Sequence, residues 1–168
     1  LADPNFDRTV VFMLEHTPDG AVGVVLNRPS DEPLPEEIER WTDWLTDPAF
    51  LFLGGPVELD AFIALARVTG AGAEQWTAVV GDLASIDLAS DPGIAAGGVG
   101  ALRVFRGYSG WGAMQLDDEL REGTWMVFPS APDDVFDPHP DGLWRAVVRR
   151  QGGRTAWIAN APDDLSSN

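Results

Sequence analysis

The stretch Gly107-Tyr108-Ser109-Gly110-Trp111-Gly112 sets a serine among three glycines. It falls between a run that reads as a strand, Leu102–Phe105, and one that reads as a helix, Ala113–Gly123. A strand–turn–helix junction with a serine at its apex is where α/β-hydrolases hold their nucleophile. That chemistry needs Gly-x-Ser-x-Gly, because the elbow tolerates only small residues two positions either side of the nucleophile. Gly107 satisfies the rule and Trp111 breaks it. His139 follows the serine in the hydrolase order, but its setting between Pro138 and Pro140 reads as a surface turn. The stretch is therefore expected to be architecture, and no catalytic residue is assigned. Gly107, Gly110 and Gly112 would allow unusual dihedrals or close backbone contact, while Tyr108 and Trp111 fill the junction and Leu116 and Leu120 anchor the helix.

Other chemistries fare no better. Asp133-Asp134-x-x-Asp137 matches an acidic pattern that can hold magnesium diphosphates on a long helix, but Pro132 and Pro138 confine it to a turn, so a solvated acidic turn is expected. His16 and His139 have no companions at metal spacing, and with no cysteine there is no thiolate ligand or nucleophile; no metal is expected. A Walker loop needs a lysine, and all 11 basic residues are arginine. The Gly97–Val104 run lacks the third glycine of the dinucleotide fingerprint, so no cofactor is expected. Backbone amides of the glycine-rich stretch could meet an anion, yet Asp117, Asp118 and Glu119 follow at once and oppose it.

Twenty-seven acidic residues give a net charge of -16, a field that repels phosphates and anionic lipid headgroups. One region runs the other way: Leu143–Ala161 holds Arg145, Arg149, Arg150 and Arg154 and no acid. It reads as the outer face of a helix and as a patch open to an anionic partner. No run approaches the ~20 apolar residues of a membrane span. The chain reads as a cytoplasmic protein, and its start at Leu1 without methionine leaves room for a missing short leader.

The elements that must position these residues follow from hydrophobic patterning. Residues 9–14 and 21–26 are β-branched runs joined through Glu15–Gly20, a hairpin expected to be buried on both faces. Leu34, Ile38, Trp41 and Leu45 recur at helical spacing behind Glu36 and Glu37. Strands are expected at Phe50–Leu53, stopped by Gly54-Gly55-Pro56, and at Trp76–Val80, Leu102–Phe105, Thr124–Phe128 and Thr155–Ala159; Ala61–Val68 is a further strand candidate, short enough to read as helix as well. Helices are expected at Ala113–Gly123, with Gly123 at C′, and from about Leu143 to Gln151, with one helical turn in a loop at 91–101. Strands outnumber helices and begin with a hairpin, which argues an α+β class, and residues 1–168 read as a single domain. Asn27 should lie across the hairpin from Thr9 or Val10, where its amide could tie loops together.

Asp3–Pro29, Phe52–Glu58, Gly107–Leu120 with Trp125 behind it, Leu143-Trp144 and the closing stretch 161–168 together resemble the AlgH/YqgE family of bacterial proteins. The order matches across nearly the whole chain, with least resemblance around residues 70–100. The resemblance implies a branched, mostly antiparallel β-sheet partly closed into a small barrel, surrounded by helices. It implies no reaction: the family carries a transcriptional-regulator label, through a link to alginate production, and has no agreed catalytic residues. Its members commonly have alanine where this chain has Ser109, which weakens the nucleophile reading further. The expected function is non-enzymatic binding of a protein partner or small ligand. The alternative is a ligand site or enzyme in a cleft beside the glycine-rich stretch and Asn27-Arg28-Pro29, with Asn27, Arg28, Tyr108 and Gln115 as its polar groups.

Direct DNA binding is expected to be absent or weak. Contacts limited to Arg145, Arg149, Arg150 and Arg154 would give a slope of log affinity against log salt of about -3.6. A fluorescence-anisotropy titration with duplex DNA at near-physiological salt checks this. Tight binding that survives reversal of Arg145, Arg149 and Arg150 to glutamate overturns the charge argument.

Overall fold

The structure is a computed structural model that describes residues 6–69, 76–95 and 98–160. The two β-branched runs pair as the patterning requires: β1 (Val11–Thr17) lies antiparallel to β2 (Gly20–Val25), with Val11 opposite Val25 and Thr17 opposite Gly20. The turn is tighter than expected, because Glu15, His16 and Thr17 continue the ladder and leave only Pro18-Asp19 between the strands. Burial on both faces holds for β2 and not for β1, which is only half-buried and stands at the sheet edge.

Three further strands, β3 (Leu51–Leu53), β4 (Val57–Val68) and β5 (Trp76–Val80), fall where expected, and β4 starts earlier than its apolar run. β6 (Leu83–Ile86) forms a hairpin with β5 around Gly81, whose φ of 59° only glycine adopts readily. The long β7 (Val99–Trp111) is central. The path runs β1-β2-β7-β4-β6-β5, and β3 joins β7 in parallel. β7 carries β4 along one edge, with β3 at residues 104–106 and β2 at 109–111, so the sheet branches. It curls into a half-barrel with a few helices, an α+β architecture.

Four expectations are corrected. Gly107–Trp111 is no strand-to-helix junction but the last third of β7; Ser109 pairs with Gly23 and Trp111 with Ala21, and this pairing overrides the low strand propensity of glycine. The junction is at Gly112–Met114, before α3 (Gln115–Arg121). Thr124–Phe128 runs beside the sheet unpaired. Thr155–Ala159 belongs to a 3-10 helix, Thr155–Asn160, because Gly152 and Gly153, at φ 70° and 55°, turn the chain onto the preceding helix and away from any strand edge. The helix expected across residues 34–45 is cut to α1 (Glu36–Glu39) and a 3-10 turn at Thr42–Trp44, where the Thr42 hydroxyl takes the Glu39 carbonyl. Its buried face is the expected one, with Ile38 and Trp41 in the core. α2 (Pro92–Ala95) is the expected single turn. α3 ends in a Schellman cap, where Gly123 and Thr124 amides donate to the Leu120 and Glu119 carbonyls.

Strand alternation sorts the core into two layers. Phe105, Leu65, Phe52 and Val24 face α4 (Pro140–Arg149), which contributes Leu143 and Val147. Leu102, Val104, Ala64 and Ala66 face the other way, onto Ile38 and Trp41. Arg103 sits among the first set, 1% exposed. Its Nη1 donates to the Val135 and Asp137 carbonyls at 3.1 and 3.0 Å, its Nη2 to the Asp47 carbonyl at 2.9 Å, and its guanidinium lies 4.3 Å from the centre of the Phe52 ring. Burial lowers its pKa to about 10, against the pull of Asp137.

Backbone meets backbone where β7 crosses the β3–β4 turn. A Cβ on Gly55 would stand 2.3 Å from the Tyr108 carbonyl, and one on Gly54 2.4 Å from the Gly107 oxygen. Gly107 itself has φ 65°, and its Cβ would lie 2.7 Å from the Gly55 oxygen. Gly110, in contrast, would meet only the edge of the Tyr108 ring at 3.3 Å. Gly107→Val should therefore cost on the order of 3 kcal/mol, through left-handed strain plus a backbone clash. Gly110→Ala should cost about 1 kcal/mol or less, and Ser109→Ala about 1 kcal/mol for its bond to the Gly54 carbonyl. Urea unfolding of the three variants checks the ranking; equal losses at positions 107 and 110 would contradict the crossing.

Candidate functional site

The Asn27 side chain is buried and bridges two strands of chain. Its Oδ1 accepts from the Val10 amide and its Nδ2 donates to the Arg8 carbonyl, both at 2.9 Å. This is the tie across the hairpin that the sequence suggests. At one of these anchor points, Arg8 is held at φ 50°, a conformation that costs a non-glycine residue about 1–2 kcal/mol. The bend brings the Arg8 guanidinium to 5.2 Å from the centre of the Trp144 ring on α4. Arg28, next along from Asn27, donates to the Asp7 carbonyl. Arg145, next to Trp144, reaches the Ala159 carbonyl at 3.4 Å.

These residues enclose a pocket of about 250 Å³ lined by Arg8, Asn27, Arg28, Asp141, Trp144 and Arg145. Among the described residues, three arginines and one aspartate line it, on a chain of charge -16. Such a pocket can take a carboxylate or phosphate by charge-assisted hydrogen bonds. A larger groove of about 790 Å³ adjoins it, running between edge strands β1 and β5 beneath residues 124–130. Arg8 and Trp144 line both.

Of the residues singled out in the sequence, Asn27, Arg28 and Arg145 come together here, although the first two and the last were selected for different reasons. Arg8 and Trp144 were missed as site residues. A left-handed arginine has no sequence signature, and a tryptophan in an amphipathic helix reads as core. Tyr108 packs on the main core cluster and hydrogen-bonds Glu58; burial, then the charge and hydrogen bond of Glu58, raise its pKa. Gln115 accepts from the Gly112 amide at 3.0 Å and donates to Glu119 at 2.9 Å. Neither lines either cavity. The arginines also part company: Arg150 is held in a bidentate pair by buried Asp134, and Arg149 and Arg154 are exposed.

Ser109 has no solvent exposure, and its Oγ donates to the Gly54 carbonyl at 3.1 Å, which leaves it without the access a nucleophile needs. His16 contacts Asp117 at 3.1 Å. The three aspartates of the acidic turn are each engaged: Asp133 by Arg67, Asp134 by Arg150 and the Ala131 amide, Asp137 by the His139 amide. Among the described residues no cluster of acidic and histidine side chains could hold a metal ion, and no helix is long and apolar enough to cross a membrane.

A branched, half-closed sheet with these motifs belongs to a recognisable class of small bacterial α+β domains. The crystal structure of a Corynebacterium diphtheriae protein superposes with a TM-score of 0.87 at 27% identity, over 95% of this chain and 85% of that one. The solution structure of AlgH from Pseudomonas aeruginosa gives a TM-score of 0.70 at 32% identity, over 98% of this chain and 90% of that one. The AlgH-like family model matches residues 1–156, and a UPF0301 protein of Streptomyces coelicolor is 47% identical over 173 residues, covering 100% of this chain and 90% of the relative. The chain belongs to the AlgH-like family, whose function is uncharacterised. The closing motif 161–168 and residues 3–5 of the first lie outside the described residues.

Trp111 and Trp125 converge beside this site on one acceptor. Their Nε1 groups donate to Glu119 Oε2 at 3.0 and 2.7 Å, with Gln115 on Oε1. Burial raises the carboxyl's pKa, but the hydrogen bonds from Trp125, Gln115 and Trp111 together outweigh it and the net shift is downward. A depressed carboxylate pKa stabilises the fold above the unfolded value and loses that contribution as pH falls through the folded one. Glu119→Gln should therefore cost about 1 kcal/mol at pH 7 and narrow that gap between roughly pH 5 and 3. Thermal melts of both proteins across that range check it; parallel pH profiles would refute it.

Proposed function

We propose that this protein is a non-enzymatic, cytoplasmic binding protein whose recognition site is the pocket of Arg8, Asn27, Arg28, Trp144 and Arg145, and that it takes a small anionic group. The observation that supports this most is the strained Arg8 held by Asn27. Backbone strain at a non-glycine residue clusters at functional sites, and here it accompanies a guanidinium set over the Trp144 ring at the edge of the pocket. Any regulatory effect on transcription of the kind the family label suggests runs through a partner protein that senses the occupied pocket. Direct DNA contact is disfavoured by the charge of -16 and by the pairing of Arg150 with Asp134.

Calorimetric titration with inorganic phosphate and with succinate tests the site. Arg28→Ala and Arg145→Ala should each weaken binding about tenfold, the loss of one charge-assisted contact. Arg8→Gly should abolish it while leaving the thermal midpoint unchanged or higher, since relief of the left-handed strain offsets the lost ring contact. If the Arg8→Gly protein binds both anions as well as the parent does, this pocket is not the site.

A further inference from the structure

All three methionines of the chain, Met13, Met114 and Met126, are exposed, at 37%, 44% and 49%. Methionine is ordinarily a core residue, and this core is filled by leucine, valine, isoleucine, phenylalanine, alanine and tryptophan instead. The chain has no cysteine, so every sulfur it contains is a thioether on an exposed side chain. The three stand on separate elements. Met13 is on edge strand β1, opposite Gly23 of β2, and its Sδ lies against that glycine: a Cβ on Gly23 would be 3.2 Å from it. Met114 stands at φ 58° just ahead of α3. Met126 lies in the unpaired run 124–128, and both it and Met13 line the groove of about 790 Å³.

We infer that Met13, Met114 and Met126 are reversible oxidation sites of the folded protein, each taking one oxygen atom from a neutral peroxide. The thioether sulfur attacks one oxygen of hydrogen peroxide, and the S–O bond forms as the O–O bond breaks. The proton on the transferred oxygen passes to the departing hydroxide, which leaves as water; the sulfur is oxidised by two electrons and the peroxide reduced by two. A methionine sulfoxide reductase returns the thioether, with the oxygen leaving as water and a dithiol oxidised to a disulfide. Charge selects the oxidant: the field of -16 opposes anions such as hypochlorite and has no hold on a neutral peroxide. With no thiol in the chain, neither a sulfenic acid nor a cross-link can form. Exposed side chains react without the fold opening, and at Met13 the flank toward Gly23 is covered, so oxygen adds on the open flank and leaves the strand pairing in place. What changes is the surface, where a flexible apolar side chain becomes polar and chiral, twice on the walls of one groove.

The test treats the full chain with hydrogen peroxide, once folded and once in urea, and locates the added oxygen by peptide mass spectrometry. All three methionines should gain oxygen in the folded protein, at rates within about tenfold of those in the unfolded chain. Met13→Leu, Met114→Leu and Met126→Leu should each remove one oxygen from the uptake and leave the other two rates unchanged. The oxidised protein should keep its thermal midpoint to within about 4 °C and elute earlier from a phenyl column, because polar surface has replaced apolar. Methionine sulfoxide reductases A and B together, supplied with dithiothreitol, should restore both the mass and the elution position. A rate in the folded protein more than about tenfold below that in urea, at any of the three positions, would show a shielded sulfur and overturn the proposal. A larger fall in the midpoint with later elution would overturn it too, since oxidation would then be opening the fold. So would sulfoxides that the reductases reach only after proteolysis, the modification then being irreversible in the native protein.

Discussion

The arrangement depends on one close approach, where Gly54 and Gly55 lie against Gly107 and Tyr108 with no space for a Cβ. At that point β7 changes partner along one edge, from β3 to β2, while β4 on the other edge bulges between Val57 and Phe62. The Gly54 carbonyl accepts from the Val25 amide and from Ser109 Oγ, and the Gly54 amide donates to the Arg106 carbonyl. One turn of backbone thus joins β2, β3 and β7. Because β2 ends there, Asn27 and Arg28 follow in a set position: the Leu53 amide donates to the Arg28 carbonyl at 2.8 Å, and Pro29 bridges to Phe52. The floor of the pocket is an outcome of that crossing.

The opposite wall is fixed by a buried charge. Arg103 spans from β7 to three carbonyls on two loops, at Asp47 and at Val135 and Asp137. The second loop leads into α4, which carries Trp144 and Arg145. Removing a cation from water is costly, and carbonyl acceptors return only part of that cost, so the residue is better understood as setting loop position than as adding stability. Arginine suits this because its planar fork can serve three acceptors in different directions, which a lysine ammonium on a flexible stem cannot. Asp134, immediately before the two carbonyls of that loop, locks the same loop to the end of α4 through Arg150.

Legibility from sequence followed the range of the forces involved. The hairpin, the core face of Ile38 and Trp41, the cap at Gly123 and the tie through Asn27 could be read because patterning and local hydrogen bonding determine them. Ser109 could be dismissed as a nucleophile on the steric argument at Trp111, and its burial agrees. The extent of β7 could not be read, since glycines that depress strand propensity are held in the ladder by partners 86 to 90 residues away in sequence, Ser109 against Gly23 being a case. Thr124–Phe128 and Thr155–Ala159 have strand-like composition but enter no ladder. The pocket was half legible: arginines stand out in an acidic chain, but the convergence of Arg8 and Arg28 with Arg145 depends on the half-barrel closing α4 onto the hairpin.

An acidic chain that gathers three arginines in one concavity faces an electrostatic question of its own. The long-range field of -16 opposes the arrival of anions, while in the proposed site the local guanidiniums would hold those that enter. Over distances beyond about 8 Å at physiological salt the field is screened, and the local term dominates. The balance disfavours extended polyanions, whose remaining charges would lie against acidic surface, and favours a ligand whose charge is confined to one end. In the proposed site that selectivity would arise from the same residues as the strain at Arg8. A glycine there would relax the hairpin entry and remove the cation next to Trp144, so the stability forgone at this position and the discrimination of the proposed site would be two consequences of one side chain.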